Sequence, residues 1–275
     1  MIPATPLERL QARIMRLGAP LCLGIDPHPD HLPDELPRSI DGVESFARGV
    51  LEAAGDEVAA VKVNVAFFEA FGSDGLAALE RLRGDVPEEL FFILDAKRGD
   101  IGSTAERYAE AIFGRLAADA VTVSPYLGED AIEPFLAFED RVVYVLTHSS
   151  NPSAGRLQDV VIDGRSLAEH VARWVATSWT DGRVGLVVGA TAPGELRRLR
   201  DAAPAPGFLV PGVGAQGGDL DTAVACCRGT RAPGVVSVSR AIAGASRGAD
   251  WREAAASSAS QLRDRMREAG ATLGR

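Results

Sequence analysis

The stretch FFILDAKRGDIGST, residues 91–104, joins a short apolar run to a group of charges and then to the start of a helical pattern. Its four leading apolar residues fit a buried strand, and the charges of Asp95, Lys97 and Asp100 follow at the carboxyl end. Side chains two positions apart in a strand point to the same face, so Asp95 and Lys97 should project together. The stretch therefore predicts a strand-to-helix unit with neighbouring charges at the point where the strand ends.

The same kind of unit recurs along the chain. Segments with helical periodicity separate most of the apolar runs, and an extra amphipathic helix precedes the first run. Such an alternation indicates a parallel sheet covered on its outside. Eight units favour a (β/α)₈ TIM barrel, formed as one domain by residues 1–275, over an open α/β sheet. The apolar runs are 21–26, 59–64, 91–96, 120–126, 142–147, 184–190, 207–213 and 234–240.

Composition argues against some classes of binding partner. The 275 residues carry a net charge of −9 and contain no basic run, which argues against nucleic acid and anionic membrane surfaces as partners. No run of 18 or more apolar residues and no signal-peptide pattern occurs, so we expect a soluble, cytoplasmic protein. Cys22, Cys226 and Cys227 lack the spacing of a zinc site and are predicted to be reduced structural thiols.

Lysine is scarce in this chain. Of the 29 basic residues only Lys62 and Lys97 are lysines, and both lie at the ends of apolar runs. An arginine effectively never releases its proton, whereas a lysine ammonium can. The two lysines are therefore candidates for positions where arginine would fail. A structural salt-bridge network at the barrel rim is the alternative interpretation.

The barrel gives the strand ends a common location. Active sites in this fold lie where the carboxyl ends of the strands meet, and Asp26, Lys62 and Asp95 stand at three of those ends. Two long segments without regular pattern, 26–39 and 148–159, follow the first and fifth strands. The second is rich in Ser, Asn, Pro and Gly, which is typical of a mobile lid, with a plain surface loop as the alternative.

An anion site is predicted at the far side of the same mouth. PGVGAQGGD, residues 211–219, follows the seventh strand and lets backbone N–H groups approach an anion closely. Arg240 ends the eighth strand as a permanent cation. Because the loops after strands seven and eight commonly hold phosphate in this fold, we expect a phosphate group there. A glycine-rich turn beside a structural arginine is the alternative.

Four motifs together resemble a known family. Residues 95–104 fit the signature D-x-K-x-x-D-I-x-x-T, and residues 149–155 are similar to an S-N-P lid. Residues 211–219 and 238–242 match phosphate-binding ends. The chain resembles orotidine 5′-phosphate decarboxylase, in its longer bacterial form, from about Leu21 to Ser246. The motifs are DAKRGDIGST (95–104), SSNPSAG (149–155), PGVGAQGGD (211–219) and VSRAI (238–242).

This resemblance implies a reaction and a catalytic group. The reaction is the conversion of orotidine 5′-monophosphate to UMP and CO₂, the last step of de novo pyrimidine nucleotide synthesis, with neither a metal nor an organic cofactor. Lys62 and Asp95 would join a charge network beneath the reacting carbon, and Lys97 would donate the proton. Asp100 would complete the network.

The resemblance also implies how the substrate is held. Asp26 and Thr104 would contact ribose hydroxyls, and Arg240 would clamp the phosphate. Gln216 would bridge the base region and the phosphate, and Ser150 would read the pyrimidine edge. The substrate-binding residues implied in this way are Asp26, Thr104, Ser150, Gln216, Gly217 and Arg240.

Two points stay open at this level. The resemblance implies a homodimer in which Asp100, with Thr104 as a second candidate, enters the partner's site, but spacing along one chain does not show such a crossing. Ser149 and Ser150 are both eligible for the base-reading role, and Ser150 is favoured because it directly precedes Asn151.

Three other functions fit the sequence less well than decarboxylation. A metal-dependent sugar-phosphate lyase of the same fold typically has an acidic residue where this chain has Lys62, and a cation there would repel Mg²⁺. A Schiff-base aldolase needs a lysine with a depressed pKa, which carboxylate neighbours oppose. A catalytically inactive phosphosugar-binding protein would lack part of the charge cluster, and no part is missing.

Overall fold

The chain folds as a closed parallel barrel with helices on its outside. The computed structural model describes residues 4–214, 217–228, 230 and 232–272. The strands, numbered in chain order, are β1 Leu21–Ile25, β2 Ala60–Asn64, β3 Phe91–Arg98, β4 Ala120–Val123, β5 Val142–His148, β6 Val161–Ile162, β7 Arg165–Ser166, β8 Val184–Val188, β9 Phe208–Pro211 and β10 Val235–Val238.

Eight of these strands form the barrel, in the spatial order β1-β10-β9-β8-β5-β4-β3-β2. Neighbouring strands are parallel, and the barrel closes where β1 pairs with β10, with Leu21 opposite Val236. All eight predicted strands are present, so the predicted TIM barrel with an extra N-terminal helix is confirmed. The carboxyl ends of the strands consequently meet at one mouth of the barrel.

Most of the helices lie between strands in sequence, α1 precedes the first strand, and α12 at the end of the described chain is the longest described helix. Among the described residues no helix is both long enough and apolar enough to cross a membrane. The helices are α1 Pro6–Leu17, α2 Ile40–Ala54, α3 Ala66–Glu69, α4 Gly72–Asp85, α5 Gly102–Ala109 with a π-helical continuation Glu110–Arg115, α6 Glu133–Leu136, α7 Gly155–Gln158, α8 Leu167–Ser178, α9 Pro193–Ala202, α10 Leu220–Cys226, α11 Arg240–Ala243 and α12 Trp251–Thr272.

Side-chain alternation along the strands produces two layers of core. Phe92 and Leu94 of β3 pack in the cluster between the barrel and its helices. Phe91 and Ile93 of the same strand belong to the smaller cluster inside the barrel. Because inward positions recur at every second residue, the next inward position of β3 is Asp95, at the mouth.

Helix α1 closes the opposite, amino-terminal end of the barrel. A capping box at Thr5 starts the helix, and Gly18 ends it in the left-handed conformation, φ 69°. Its residue Leu10 is fully buried in the inner cluster. Arg13 is also buried and donates hydrogen bonds to the carbonyl oxygens of Val58 and Gly55. The helix thus forms the floor of the barrel, and the mouth remains the open end.

The segment after β5 is more regular than its sequence predicts. Residues 148–159 contain the short helix α7, and an antiparallel hairpin of β6 and β7 follows. The hairpin turn is Asp163-Gly164, and both residues have positive φ, 49° and 79°. An Asp-Gly pair is a strong hairpin signal because type I′ turns need two such residues. The hairpin could therefore have been predicted from this dipeptide.

Candidate active site

A cavity of about 240 Å³ opens at the carboxyl ends of the barrel strands. It gathers residues from strands that are far apart in sequence, including most of the predicted site. The predicted residues that line it are Asp26, Lys62, Asp95, Lys97, Ser150 and Arg240, together with the alternative Ser149. The barrel therefore brings the charged end and the predicted phosphate end into one space.

Asp95 is the centre of the charged group. Its Oδ2 atom accepts a hydrogen bond from Lys62 Nζ at 2.9 Å, and its Oδ1 atom accepts one from Lys97 Nζ at 2.6 Å. Lys62 Nζ also lies 3.7 Å from Asp26 Oδ1. Positive and negative groups thus alternate along the network, which reduces the cost of keeping charges away from water.

The pKa values of the network follow from this pairing. Burial alone would lower the pKa of the Lys62 ammonium, but the charges of Asp95 and Asp26 outweigh burial and raise the pKa above its usual range. Burial would raise the pKa of the Asp95 carboxyl, but Lys62 and Lys97 lower it well below the usual range. Both Lys62 and Asp95 are therefore ionised at neutral pH.

An irregularity in β3 shapes the site. Leu94 pairs with Val121 of β4 and Arg98 pairs with Val123, so residues 95–97 form a β-bulge. Within the bulge Lys97 has a left-handed backbone, φ 44°. Strand geometry alone predicts that Asp95 and Lys97 share a face, and the bulge keeps their side chains in contact although β3 departs from regular pairing.

The hydroxyl of Thr122 lies at the floor of the cavity beside the bulge. Thr122 Oγ1 accepts a hydrogen bond from the Lys97 N–H group at 2.9 Å and donates one to Asp95 Oδ1 at 2.9 Å. The residue is only 1% exposed. Thr122 belongs to β4, a strand on which no site residue was predicted.

The predicted phosphate end includes two exposed glycines, Gly214 and Gly217, and the exposed cation Arg240. Gly214 and Gly217 have positive φ, 85° and 76°, and the Gly217 N–H group donates to the Gly214 carbonyl at 2.8 Å. Arg240 is the first residue of α11, and its guanidinium has no hydrogen-bond or ion-pair partner among the described residues. Gly217 does not line the cavity, and Gln216 lies outside the described residues.

The two adjacent serines have different partners. Ser149 Oγ donates to Asn151 Oδ1 at 2.6 Å and also contacts the side chain of Gln158. Ser150 lines the cavity, and no hydrogen bond of its hydroxyl is found among the described residues. Gly189 lies against Ser150, where an added Cβ would come within 3.0 Å of the Ser150 backbone nitrogen. The free hydroxyl is therefore that of Ser150.

Besides Gly217, two more predicted site residues lie outside the cavity of this chain. Asp100 is half-buried, and its Oδ1 atom accepts a hydrogen bond from the backbone N–H of Ile101 at 2.8 Å. Thr104 is exposed on α5. Neither residue lines the cavity, so one chain does not bring them to the Lys62–Asp95–Lys97 group.

Comparison with known proteins identifies the family. Residues 19–256 match the sequence profile of the orotidine 5′-phosphate decarboxylase / HUMPS family. The chain belongs to this family. A curated relative from Roseiflexus castenholzii, named orotidine 5′-phosphate decarboxylase, is 49% identical over 265 residues, which cover 95% of this chain and 97% of the relative. The resemblance predicted from the four motifs is therefore confirmed, as is the predicted enzyme class.

Solved structures agree with the family assignment. The structure of Leishmania donovani UMP synthase has a TM-score of 0.87 and 36% identity, covering 97% of this chain and 56% of that one. The structure of Leishmania donovani OMP decarboxylase has a TM-score of 0.83 and 36% identity, covering 96% of this chain and 99% of that one. The family fold thus extends over nearly the whole chain.

Within this family fold, three polar residues that line the cavity belong neither to the predicted site nor to the four motifs. They are Asn64, Thr122 and Ser237. Ser237 is buried, and its Oγ atom has no hydrogen-bond partner among the described residues. A polar residue at an inward position of an otherwise apolar strand was the available signal, in AVTV for Thr122 and VVSV for Ser237. This signal is usable only once the inward faces of the strands are known.

Proposed function

We propose that this chain decarboxylates orotidine 5′-monophosphate to UMP and CO₂ in de novo pyrimidine biosynthesis, with Lys97 as the proton donor. The observation that carries the proposal is the alternating group of Lys62, Asp95 and Lys97 at the barrel mouth, in the same cavity as Arg240. The family membership of the chain supports the same substrate and reaction.

The chemistry requires a cation that can also give up a proton. Loss of CO₂ leaves the electron pair of the broken bond in an sp² orbital at carbon 6, where the ring π system does not delocalise it. A fixed ammonium next to that carbon stabilises the growing negative charge. Lys97 then transfers one proton to carbon 6, forms UMP and becomes a neutral amine, which regains a proton from solvent. An arginine would supply the charge but could hardly supply the proton.

The remaining predicted residues bind the substrate. Asp26 accepts from a ribose hydroxyl, since its buried Oδ1 atom has no hydrogen bond among the described residues. Ser150 reads the pyrimidine edge with its free hydroxyl. Arg240 clamps the phosphate, Gln216 bridges the base region and the phosphate, and Gly217 also binds the substrate. Phosphate binding far from carbon 6 supplies energy that organises the charged end.

The active unit is a homodimer in which Asp100 and Thr104 of each chain complete the partner's site. Both residues lie outside the cavity of their own chain, as such an exchange requires. Large apolar side chains near them in the chain are exposed: Ile101 is 51% exposed and Tyr108 37% exposed. Exposed apolar residues rimmed by polar ones are typical of an interface.

No metal or organic cofactor takes part in the proposed reaction. The charge that a metal ion would provide is supplied by Lys62 and Lys97. Lys62 is also unsuited to Schiff-base chemistry, because its raised pKa keeps the amine protonated at neutral pH. These features favour decarboxylation over both the metal-dependent lyase and the aldolase.

The direct test is turnover of orotidine 5′-monophosphate in excess chelator. Purified protein is mixed with the nucleotide, and the absorbance change on conversion to UMP is followed over time. We expect full activity with EDTA present and none with the Lys97→Ala variant. No turnover by the wild-type chain, or turnover that EDTA abolishes, would contradict the proposal. Sugar phosphates with Mg²⁺ and with borohydride serve as parallel assays for the two rival activities.

A further inference from the structure

The β3 bulge holds Lys97 in an unfavourable backbone conformation. Three residues, 95–97, lie opposite the single residue Thr122 of β4. Lys97 adopts a left-handed backbone there, φ 44°, which is unfavourable for any residue with a Cβ atom. Regular pairing resumes only beyond the bulge, where the Ser124 N–H group donates to the Arg98 carbonyl at 2.7 Å. The conformation of Lys97 therefore needs support from a side chain.

The Thr122 hydroxyl gives that support and has only one workable orientation. It lies 2.9 Å from the Lys97 backbone nitrogen and 2.9 Å from Asp95 Oδ1. The backbone N–H group can only donate, and an ionised carboxylate can only accept. The hydroxyl must therefore accept from Lys97 and point its single proton at Asp95. Among side chains of this size, only threonine and serine can do both at once.

The contact with Asp95 is directed at the oxygen that holds the proposed proton donor. Asp95 Oδ1 accepts from Thr122 and from Lys97 Nζ, while Oδ2 accepts from Lys62. The carboxylate is thus held from two strands in addition to its own. One hydroxyl restrains Lys97 at its backbone and, through Asp95, at its ammonium.

We infer that Thr122 is a positioning residue for decarboxylation, which sets the location of the Lys97 ammonium by bonding to the Lys97 backbone and to the Asp95 carboxylate together. The inference rests on the proposed function, since it assumes that Lys97 is the proton donor. Thr122 itself transfers no proton to the substrate. Its loss should therefore slow the chemical step and leave nucleotide binding nearly unchanged.

The test compares full-length variants by steady-state kinetics with orotidine 5′-monophosphate. Thr122→Val keeps the shape of the side chain but removes the hydroxyl, and Thr122→Ser keeps the hydroxyl. Thr147→Val is the matched control, because Thr147 is a buried threonine on the next strand whose hydroxyl donates to the Val145 carbonyl outside the cavity. The affinity for UMP is measured on each variant by calorimetry.

We expect kcat of Thr122→Val to fall about 10- to 100-fold, the loss typical of one hydrogen bond to a charged group, with KM and the UMP Kd within about threefold of wild type. Thr122→Ser and Thr147→Val should both keep kcat within about threefold of wild type. A kcat for Thr122→Val equal to that of Thr147→Val would overturn the inference. Equal losses in the Val and Ser variants would also overturn it, because they would indicate a packing role.

A second pair of variants guards against misfolding. If circular dichroism shows that Thr122→Val does not fold, Thr122→Ser and Thr122→Ala are compared, since they differ by a single hydroxyl. The inference predicts the same gap in kcat between them, and equal values overturn it. An inactive wild-type chain would overturn the proposed function and this inference together. An active wild type beside an unimpaired Thr122→Val would overturn this inference alone.

Discussion

Lys62 and Lys97 share one carboxylate but differ in access to solvent. The side chain of Lys62 is 7% exposed and that of Lys97 is 48% exposed. Lys62 lies between the carboxylates of Asp26 and Asp95 inside the barrel, so it can serve as a fixed positive charge. Lys97 faces the open cavity and can reach both a substrate and the solvent that would reprotonate it. The two scarce lysines therefore have different proposed roles.

Removing the proposed proton donor should separate catalysis from binding. In Lys97→Ala we expect UMP formation to fall at least about 10³-fold, since both the proton donor and its charge are lost. UMP affinity should change much less, because Arg240 and the ribose contacts remain. Turnover is measured by absorbance and affinity by calorimetry, with Lys97→Arg as the variant that keeps the charge. Substantial decarboxylation by Lys97→Ala would argue against Lys97 as the donor.

The Asp95 carboxyl should make stability depend on pH. Its pKa is lowered in the folded state, so its contribution is present above the unfolded pKa of about 3.9 and is lost as the pH falls towards the folded pKa. We expect wild type to exceed Asp95→Asn in free energy of unfolding at pH 7. The difference should shrink below about pH 4. Urea unfolding from pH 3 to pH 7 measures it, and parallel curves for the two proteins would refute it.

At the scale of single elements, α1 shows how a segment far from the chemistry supports it. Its buried face meets the lower layer of the barrel interior, and the same strands carry Lys62 and Asp95 one layer above. The helix is also tied to the barrel through Arg9, which donates to the buried Asp119 at 2.7 Å. Asp119 in turn accepts from the Phe92 N–H group of β3. Helix α1 therefore helps to fix the position of β3, in addition to the adjacent strands β2 and β4.

This role of α1 predicts an unequal effect of two substitutions on one helix. Leu10→Ala should lower the free energy of unfolding by about 2–5 kcal/mol, because it leaves a cavity in the inner cluster. Met15 is 73% exposed, so Met15→Ala should change that free energy by no more than about 0.5 kcal/mol. Denaturant titration of both variants measures the difference, and similar losses would show that α1 does not close the core.

At the scale of the whole molecule, one chain has a cavity with the charge centre but without two of the expected site residues. Neither Asp100 nor Thr104 lines it, and the nearby positions Ile101 and Tyr108 carry exposed apolar side chains. A twofold interface would place the same surface of each chain against the other, so each chain would give and receive the same residues. The proposed homodimer would complete both sites in this way.

Mixing two inactive variants tests this exchange. Lys97→Ala and Asp100→Ala should each be inactive, because every site in either homodimer lacks one residue. After the two are unfolded and refolded together, half of the dimers are mixed, and one site in each mixed dimer is intact. We expect about a quarter of wild-type activity to return, as a twofold interface requires. Mixing without recovery, while size-exclusion chromatography shows mixed dimers, would argue that Asp100 acts within its own chain.

The sequence by itself determined the fold and brought most of the predicted site residues to one end of it. Eight apolar runs with intervening helical patterns were sufficient to predict the barrel. The apolar composition of each run indicates that the run is buried, and this can be read without knowing the rest of the chain. The fold then placed Lys62, Asp95 and Arg240 at one mouth, since parallel strands end there together. DAKRGDIGST together with the other three motifs predicted the family, and the Asp163-Gly164 dipeptide was an additional local signal for the hairpin.

Only the tertiary structure decided how the strand ends meet. The β3 bulge, the left-handed backbone of Lys97 and its bond to Thr122 depend on the register between β3 and β4. The difference between the bonded hydroxyl of Ser149 and the free hydroxyl of Ser150 likewise depends on the contact of Ser149 with Gln158. Register and contact arise from packing among segments far apart in the chain, and a residue's own neighbours in sequence do not encode them.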